Sequence, residues 1–378
     1  MSHLVLATNV DWFFLSHRLT FARRLLYEGW RVTVLAADTG RADDVRAEGI
    51  AFEPTPFSRS GTNPATEAQV VPALRAAYGR LRPTLIHQMT IKPVLYGSMA
   101  AWSLGVPVLN HMTGLGHMFT SKGPFSPSRI LVEGMYRVAL GHSQSLTMFE
   151  NPDDRALFVG RRLVRPGRTR VVRGCGVDPV AFAEAALPGG APVFMLPARL
   201  LIEKGVVEFV EAARRLRVEG VGARFVLVGE SDPGNPTSIP ERQLEAWVEE
   251  GAVEWWGRSS DMAGTLARAT VVVLPSYREG LPKVLLEAAS VGRPILTTDV
   301  PGCREVVREG VNGRLVPARS ADALADAMHE MVLAPGRLSP WGRASRAIAE
   351  AEFAEAVIED QTLALYDELL AGRPAARA

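Results

Sequence analysis

Only two cysteines, Cys175 and Cys303, occur in 378 residues. No Cys-x-x-Cys spacing is present, which excludes a disulfide framework and a cysteine-rich zinc site and fits a reducing compartment. No apolar run approaches the roughly 18 residues that a membrane span needs. The opening Met1-Ser2-His3 and the short apolar Leu4–Ala7 lack the basic start and longer core of a secretory leader. Charge of either sign is not in excess: 42 Lys and Arg face 41 Asp and Glu, a net +1. Nucleic acid is therefore not an expected partner. The expected location is the cytoplasm, with peripheral contact on the inner face of the cell membrane. There is no low-complexity tract, no short internal repeat and no Asp-x-Asp anywhere.

What is present is ordinary for a globular chain, with 47% hydrophobic and 22% charged residues, and its length suits two domains of roughly 150 residues each. Short apolar runs alternate with helical-period stretches. In the first half the runs are Leu4–Thr8, Arg31–Ala36, Ala51–Glu53, Leu85–His87, Val106–Asn110 and Leu146–Phe149. The segment Ala183–Pro192, with Pro188-Gly189-Gly190, reads as an interdomain linker. Runs then recur at Val193–Leu196, Ala223–Val228, Ala252–Trp255, Thr270–Leu274, Pro294–Thr297 and Arg314–Val316. Such alternation predicts an α/β chain of two doubly wound, mostly parallel Rossmann-like domains, over 1–185 and 190–352. In such sheets ligands bind at the carboxyl ends of the strands, here in the crevice expected between the domains.

The most informative stretch follows the run ending at Leu274. Ser276-Tyr277-Arg278-Glu279-Gly280-Leu281-Pro282 leads into a helical segment, and Pro282 suits a first helical position because its missing N–H would be unsatisfied there. Amides of Gly280 and Leu281 would then sit at the positive end of a helix dipole, where phosphate binds well. Glu279 precedes that helix and Glu287 lies roughly 7.5 Å along it. Two carboxylates beside a phosphate pocket could accept hydrogen bonds from sugar hydroxyls, although a capping acid and an exposed acid would read the same way. Upstream, Pro197-Ala198-Arg199-Leu200-Leu201-Ile202-Glu203-Lys204-Gly205 closes the second domain's first strand. Arg199 offers a planar fork and Lys204 a point charge, which together suit a diphosphate.

The glutamates around Gly280-Leu281-Pro282, with Gly292-Arg293-Pro294 through Glu305 and Gly310-Val311-Asn312-Gly313-Arg314-Leu315-Val316-Pro317, closely resemble the signature of family-4 retaining glycosyltransferases of the GT-B fold. The resemblance implies that Glu279 contacts the donor sugar, Glu287 the ribose hydroxyls, and Arg199 with Lys204 the diphosphate. That cation pair would stabilise the leaving group in place of a metal, so no metal or other cofactor is expected. In the family the loop holding Gly257 and Arg258 lies near the nucleotide base; Ser260 or Asp261 serves equally well as a helix N-cap. The final helix, Phe353–Leu370 within 353–378, would pack on the first domain, and the domains would close about the linker.

On the first domain, Asn9-Val10-Asp11-Trp12-Phe13-Phe14-Leu15-Ser16-His17-Arg18, Thr90-Ile91-Lys92-Pro93 and Asn110-His111-Met112-Thr113-Gly114-Leu115-Gly116 resemble a subgroup that adds hexosamines to polyprenyl-diphosphate-linked sugars. This implies an acceptor side built from Asn9, Asp11, His17, Lys92, Thr113 and Gly114. His111 would bond the sugar near the reacting carbon. His17 reads equally as a crevice-facing or a surface residue, and Lys92 as a phosphate contact or an exposed lysine. A membrane-facing surface is expected from 118–136, where Phe119, Phe125, Ile130 and Leu131 mix with Lys122 and Arg129, and from the arginines between Arg155 and Arg173. A solvated charge run and a core stripe would look alike.

The implied function is retaining, metal-independent transfer of an N-acetylhexosamine from a UDP-sugar to a polyprenyl-diphosphate-linked glycan, in surface polysaccharide or glycan assembly. A nucleotide-sugar 2-epimerase shares the two-domain plan, and a two-domain solute-binding protein is the non-enzymatic alternative. A nicotinamide oxidoreductase would need G-x-G-x-x-G, which both Gly114-Leu115-Gly116 and Gly174-Cys175-Gly176 fail at the third glycine.

Overall fold

The central strands are buried along their whole length rather than on alternate residues, as strands covered on both faces must be. In a computed structural model describing residues 2–57, 64–115 and 127–371, they form two all-parallel sheets. The chain divides into two units, Met1–Cys175 with Ile358–Ala378, and Gly176–Val357.

The first unit contains β1 (His3–Val10), β2 (Arg31–Ala37), β3 (Ala51–Pro54), β4 (Leu85–Met89), β5 (Val108–Met112), β6 (Ser145–Phe149) and β7 (Thr169–Val171). Their order is β3-β2-β1-β4-β5-β6-β7. The pleat sends Leu4 and Leu6 to a core with Phe14, Leu25 and Val34, and Val5 and Ala7 to another with Leu74, Ile86 and Val108. The final helix, Glu355–Ala371, completes the first of these cores with Ile358, Leu365, Tyr366 and Leu369. Short β7 is absent from the sequence reading because its Thr-Arg-Val looks like part of a charge run.

The second unit contains β8 (Val193–Pro197), β9 (Arg224–Val228), β10 (Glu254–Trp255), β11 (Val271–Leu274), β12 (Ile295–Thr298) and β13 (Gly313–Val316). Their order is β10-β9-β8-β11-β12-β13. Phe194, Leu196, Phe225 and Val273 face a core with the helix Val206–Val218, while Met195, Val226 and Val272 face one with the helix Lys283–Ser290.

The boundary falls earlier than the small-residue loop Ala183–Pro192 suggested. Arg293, fully buried, donates hydrogen bonds to the carbonyls of Ala185 and Ala186, and also of Ala267, Ala269 and Val291. The start of that loop is thereby tied to the second unit. The chain instead leaves the first unit at Cys175 and returns at Ile358. There the Val177 amide donates to Phe353 O at 2.8 Å and the Glu355 amide to Val177 O at 2.9 Å. Gly176, at φ 78°, lies so close that an added Cβ would stand 2.7 Å from Glu355 Cα. Among the described residues no helix is long and apolar enough to cross a membrane.

Candidate active site

In each sheet the strand order reverses direction once, between β1 and β4 in the first and between β8 and β11 in the second. Crossovers diverge to opposite faces at such a point, leaving room beyond the carboxyl ends of the two strands. Residues following those four strands are therefore the ones a ligand would meet.

After β8 the chain makes a 3₁₀ turn, Ile202–Lys204, and turns into the helix Val206–Val218 through Gly205 at φ 75°. No side chain would fit at Gly205, since a Cβ would approach Pro275 O to within 2.2 Å. This contact, and the Tyr277 amide donating to Glu203 O at 2.9 Å, join the loop after β8 to the loop after β11. Across the join, Lys204 Nζ donates to Glu279 Oε1 at 2.5 Å, with both side chains mostly buried. Two further contacts shape the Glu279 loop. Its amide donates to Pro301 O at 3.3 Å, and Gly302 packs so tightly behind it that a Cβ would lie 2.4 Å from Gly280 O. Tyr277 is held by its hydroxyl donating to Glu208 at 2.6 Å and by Arg319 over its ring.

Pro282 is the N-cap of the helix Lys283–Ser290, not its first residue, so the sequence reading is one position early. Its carbonyl accepts from the Leu285 amide, and no side chain caps the helix. The first-turn amides that an anion would use thus begin at Lys283, with Gly280 and Pro282 buried below them and Leu281 partly buried. Glu287, 8% exposed, has Lys283 Nζ at 3.5 Å. Burial pushes its carboxyl above the usual range, against the pull of Lys283. The Cys303 thiol is pushed up to about 12 by burial and by the Glu279 charge.

Arg199 does not join Glu279. It bonds Asp232 Oδ2 at 3.1 Å, and its side chain is 53% exposed. Gly257 O accepts from the Gly229 amide at 2.8 Å, Arg258 is exposed, and Asp261 caps the helix Met262–Ala267 by accepting from the Gly264 amide. The capping reading of Asp261 is the one the geometry carries.

In the first unit, Asn9 lies near the end of β1, and Thr90, at φ 72°, follows β4. Asn9 Oδ1 and Thr90 Oγ1 are buried with no hydrogen-bond partner among the described residues. Lys92 Nζ bonds Glu67 Oε1 at 2.5 Å, both side chains being mostly buried, so it is not an exposed lysine. Asp11 is fully buried and structural. Burial raises its carboxyl, but hydrogen bonds from Thr39, Arg41 and Trp12 hold it below the usual range. His17 stacks on Phe13 at 4.4 Å and contacts Ser16. Thr113 and Gly114 follow β5 and are partly buried.

His111, on β5, is fully buried, and both ring nitrogens are engaged. Arg18 donates to Nδ1 at 2.9 Å, which places the proton on Nε2, facing Glu150 at 3.2 Å. Burial first, and then the Arg18 charge, hold its pKa well below the usual value, so the ring is neutral. Nothing in the sequence flags Glu150 or pairs Arg18 with it, because their meeting depends on strand order. The expectations placed on Gly116, Phe119, Lys122 and Phe125 lie outside the described residues.

Comparison with known proteins bears on the family and the fold. Residues 191–333 match the family described as glycosyl transferases group 1, and residues 3–150 match a glycosyl transferase 4-like family. A curated relative from Campylobacter jejuni subsp. jejuni, N,N'-diacetylbacillosaminyl-diphospho-undecaprenol alpha-1,3-N-acetylgalactosaminyltransferase, is 26% identical over 88% of this chain and 89% of its own. Sucrose-phosphate synthase from Thermosynechococcus elongatus superposes with a TM-score of 0.81 at 22% identity, covering 99% of this chain and 100% of its own. Anabaena Alr3699/HepE in complex with UDP gives 0.77 at 20% identity, over 97% of this chain and 100% of its own. These two structures establish the GT-B type of fold.

Proposed function

We propose that this protein, which belongs to the group 1, GT4-like glycosyltransferases, transfers an N-acetylhexosamine from a UDP-sugar to a polyprenyl-diphosphate-linked glycan, with retention and without a metal. The observation that carries the proposal is the Lys204–Glu279 pair at the switch point of the second sheet. A buried-edge ammonium beside uncapped helix amides suits a diphosphate, and a neighbouring carboxylate suits sugar hydroxyls. The UDP-bound neighbour and the diphospho-undecaprenol-linked substrate named for the relative support the choice of donor and acceptor.

In this mechanism the bond from the anomeric carbon to the diphosphate breaks as Lys204, with Arg199 released from Asp232, stabilises the charge left on the diphosphate. The acceptor oxygen bonds the same face, and its proton passes to a departing diphosphate oxygen. Glu279 orients the donor sugar and Glu287 the ribose. His111, buried as a neutral imidazole with both ring nitrogens taken up by Arg18 and Glu150, holds the end of β5 in place rather than touching the sugar. Asn9, Thr90 and Lys92 serve the acceptor at the first sheet's switch point. Contact with the cytoplasmic face of the membrane brings the enzyme to that acceptor.

The test is transfer from a panel of UDP-sugars to a lipid-linked acceptor, with and without a chelator. Glu279→Ala should lower turnover about 100-fold or more, the scale of one lost transition-state contact, and cost far more in turnover than in folding stability. Unimpaired transfer by that variant, or an isomerised UDP-sugar as product, defeats the proposal.

A further inference from the structure

The helix Pro127–Ala139 has two dissimilar faces. Tyr136 and Ala139 are buried, with Val132 and Met135 packed beside them. On the other face Ile130 is 60% exposed, Leu131 65% and Val138 49%, an apolar strip that no element among the described residues covers. A monomeric surface rarely leaves such a strip without a use. At the helix's carboxyl end the strip runs into a cavity of about 430 Å³, floored by Leu140, Val159, Leu163 and Val164 and edged by Arg137, Arg162 and Arg165.

Arg162 ends the helix Pro152–Gly160 in a left-handed conformation, φ 56°. The Leu163 amide reaches Phe158 O and the Arg162 amide reaches Val159 O, both at 2.9 Å. That closing turn favours glycine, so an arginine there is held at a cost in strain. The side chains of Arg162 and Arg165 are exposed and have no hydrogen-bond or carboxylate partner among the described residues. Between 127 and 173 there are nine arginines against four acidic residues, whereas the whole chain carries only +1. Of these, Arg137, Arg162 and Arg165 line the cavity beside the exposed apolar strip.

We infer that this cavity binds the phosphate of an anionic phospholipid, with Ile130, Leu131 and Val138 seated at the edge of the bilayer. An anionic headgroup would pair with Arg162 and Arg165 while the start of its acyl chains meets the apolar floor, and the helix face would lie in the interface plane. Charge complementarity favours this occupant over an apolar protein surface. The inference rests on the reading that the acceptor is membrane-borne, but its test uses neither donor nor acceptor.

Full-length protein should sediment with vesicles of equal parts phosphatidylcholine and phosphatidylglycerol and not with phosphatidylcholine alone. Arg162→Gly with Arg165→Gln should weaken that binding roughly twenty-five-fold, from about a factor of five for each arginine. Because glycine suits the left-handed turn, the melting temperature should hold or rise. Ile130→Gln with Leu131→Gln should weaken binding as well. Transfer to a detergent-soluble acceptor should stay at the parental rate in both variants; its absence in the parent protein would count against the functional reading alone. Equal binding to both vesicle types, or parental binding by the arginine variant, overturns the lipid site.

Discussion

Glu287 shows how a single residue trades stability for binding. Its carboxylate sits nearly out of reach of solvent, and the ammonium of Lys283 only partly compensates. A folded-state pKa above the unfolded one means that the folded protein holds this proton more tightly. The stabilising effect is complete below the unfolded pKa and is lost as pH rises through the raised value. Glu287→Gln, which stays neutral, should therefore melt at a higher temperature than the parent, with the gap opening as pH rises from about 4.5 toward neutrality. If Glu287 holds the ribose, the same variant should bind UDP more weakly. Melting curves at several pH values together with UDP titrations check both halves. A gap that closes with rising pH contradicts the burial argument, and unchanged UDP affinity contradicts the ribose assignment.

Among the elements, the loops after β8 and β11 act as one piece because glycines let backbone meet backbone. Gly302, at φ 80°, is the backstop for the Glu279 loop. Alanine there pays the left-handed penalty of roughly 1–2 kcal/mol and drives its Cβ into Gly280 O. Gly302→Ala should lower the melting temperature and, by moving Glu279 away from Lys204, reduce turnover more than Gly292→Ala. Gly292 has a similar φ, 75°, but its nearest neighbour is the flexible side chain of Glu184 at 3.2 Å. Equal losses of turnover in the two variants would mean that the backstop does not position Glu279. This pair of loops was the part of the site most legible in the sequence, because glycine, proline and acid spacing is local information. Arg199 was legible as a cation but not as the partner of Asp232, which lies 33 positions away. Asp11 looked like an acceptor ligand, yet the loop after β2 folds onto it and takes up its oxygens. The Arg18–His111–Glu150 chain was not legible at all, since its members come from the junction between the two helices after β1, from β5 and from the end of β6.

For the whole molecule, strand alternation gave both doubly wound sheets, but composition placed the boundary in the wrong loop. A small-residue stretch looks like a linker whether or not a distant side chain fastens it, and Arg293 sits some hundred positions away. The true division leaves one unit continuous and the other discontinuous. That asymmetry has a consequence for folding. The first unit's core needs Ile358, Leu365, Tyr366 and Leu369 from the far end of the chain, and the Tyr366 hydroxyl meets His87 Nδ1 at 2.7 Å. Without them an apolar face of the first sheet is uncovered, at about 1.5–3 kcal/mol for each large side chain left exposed. The second unit is cut from a single stretch, both of its cores are complete within it, and it carries Lys204, Glu279 and Glu287. Residues 176–357 alone should therefore be soluble, melt cooperatively and bind UDP, with Lys204→Ala weakening that binding. Residues 2–175 alone should aggregate, and fusing 358–371 through a flexible linker should restore a cooperative transition. A cooperative, soluble 2–175 fragment would show that the last helix is dispensable to the first core. Failure of 176–357 to bind UDP while folded would mean that the donor site needs more than the second sheet supplies.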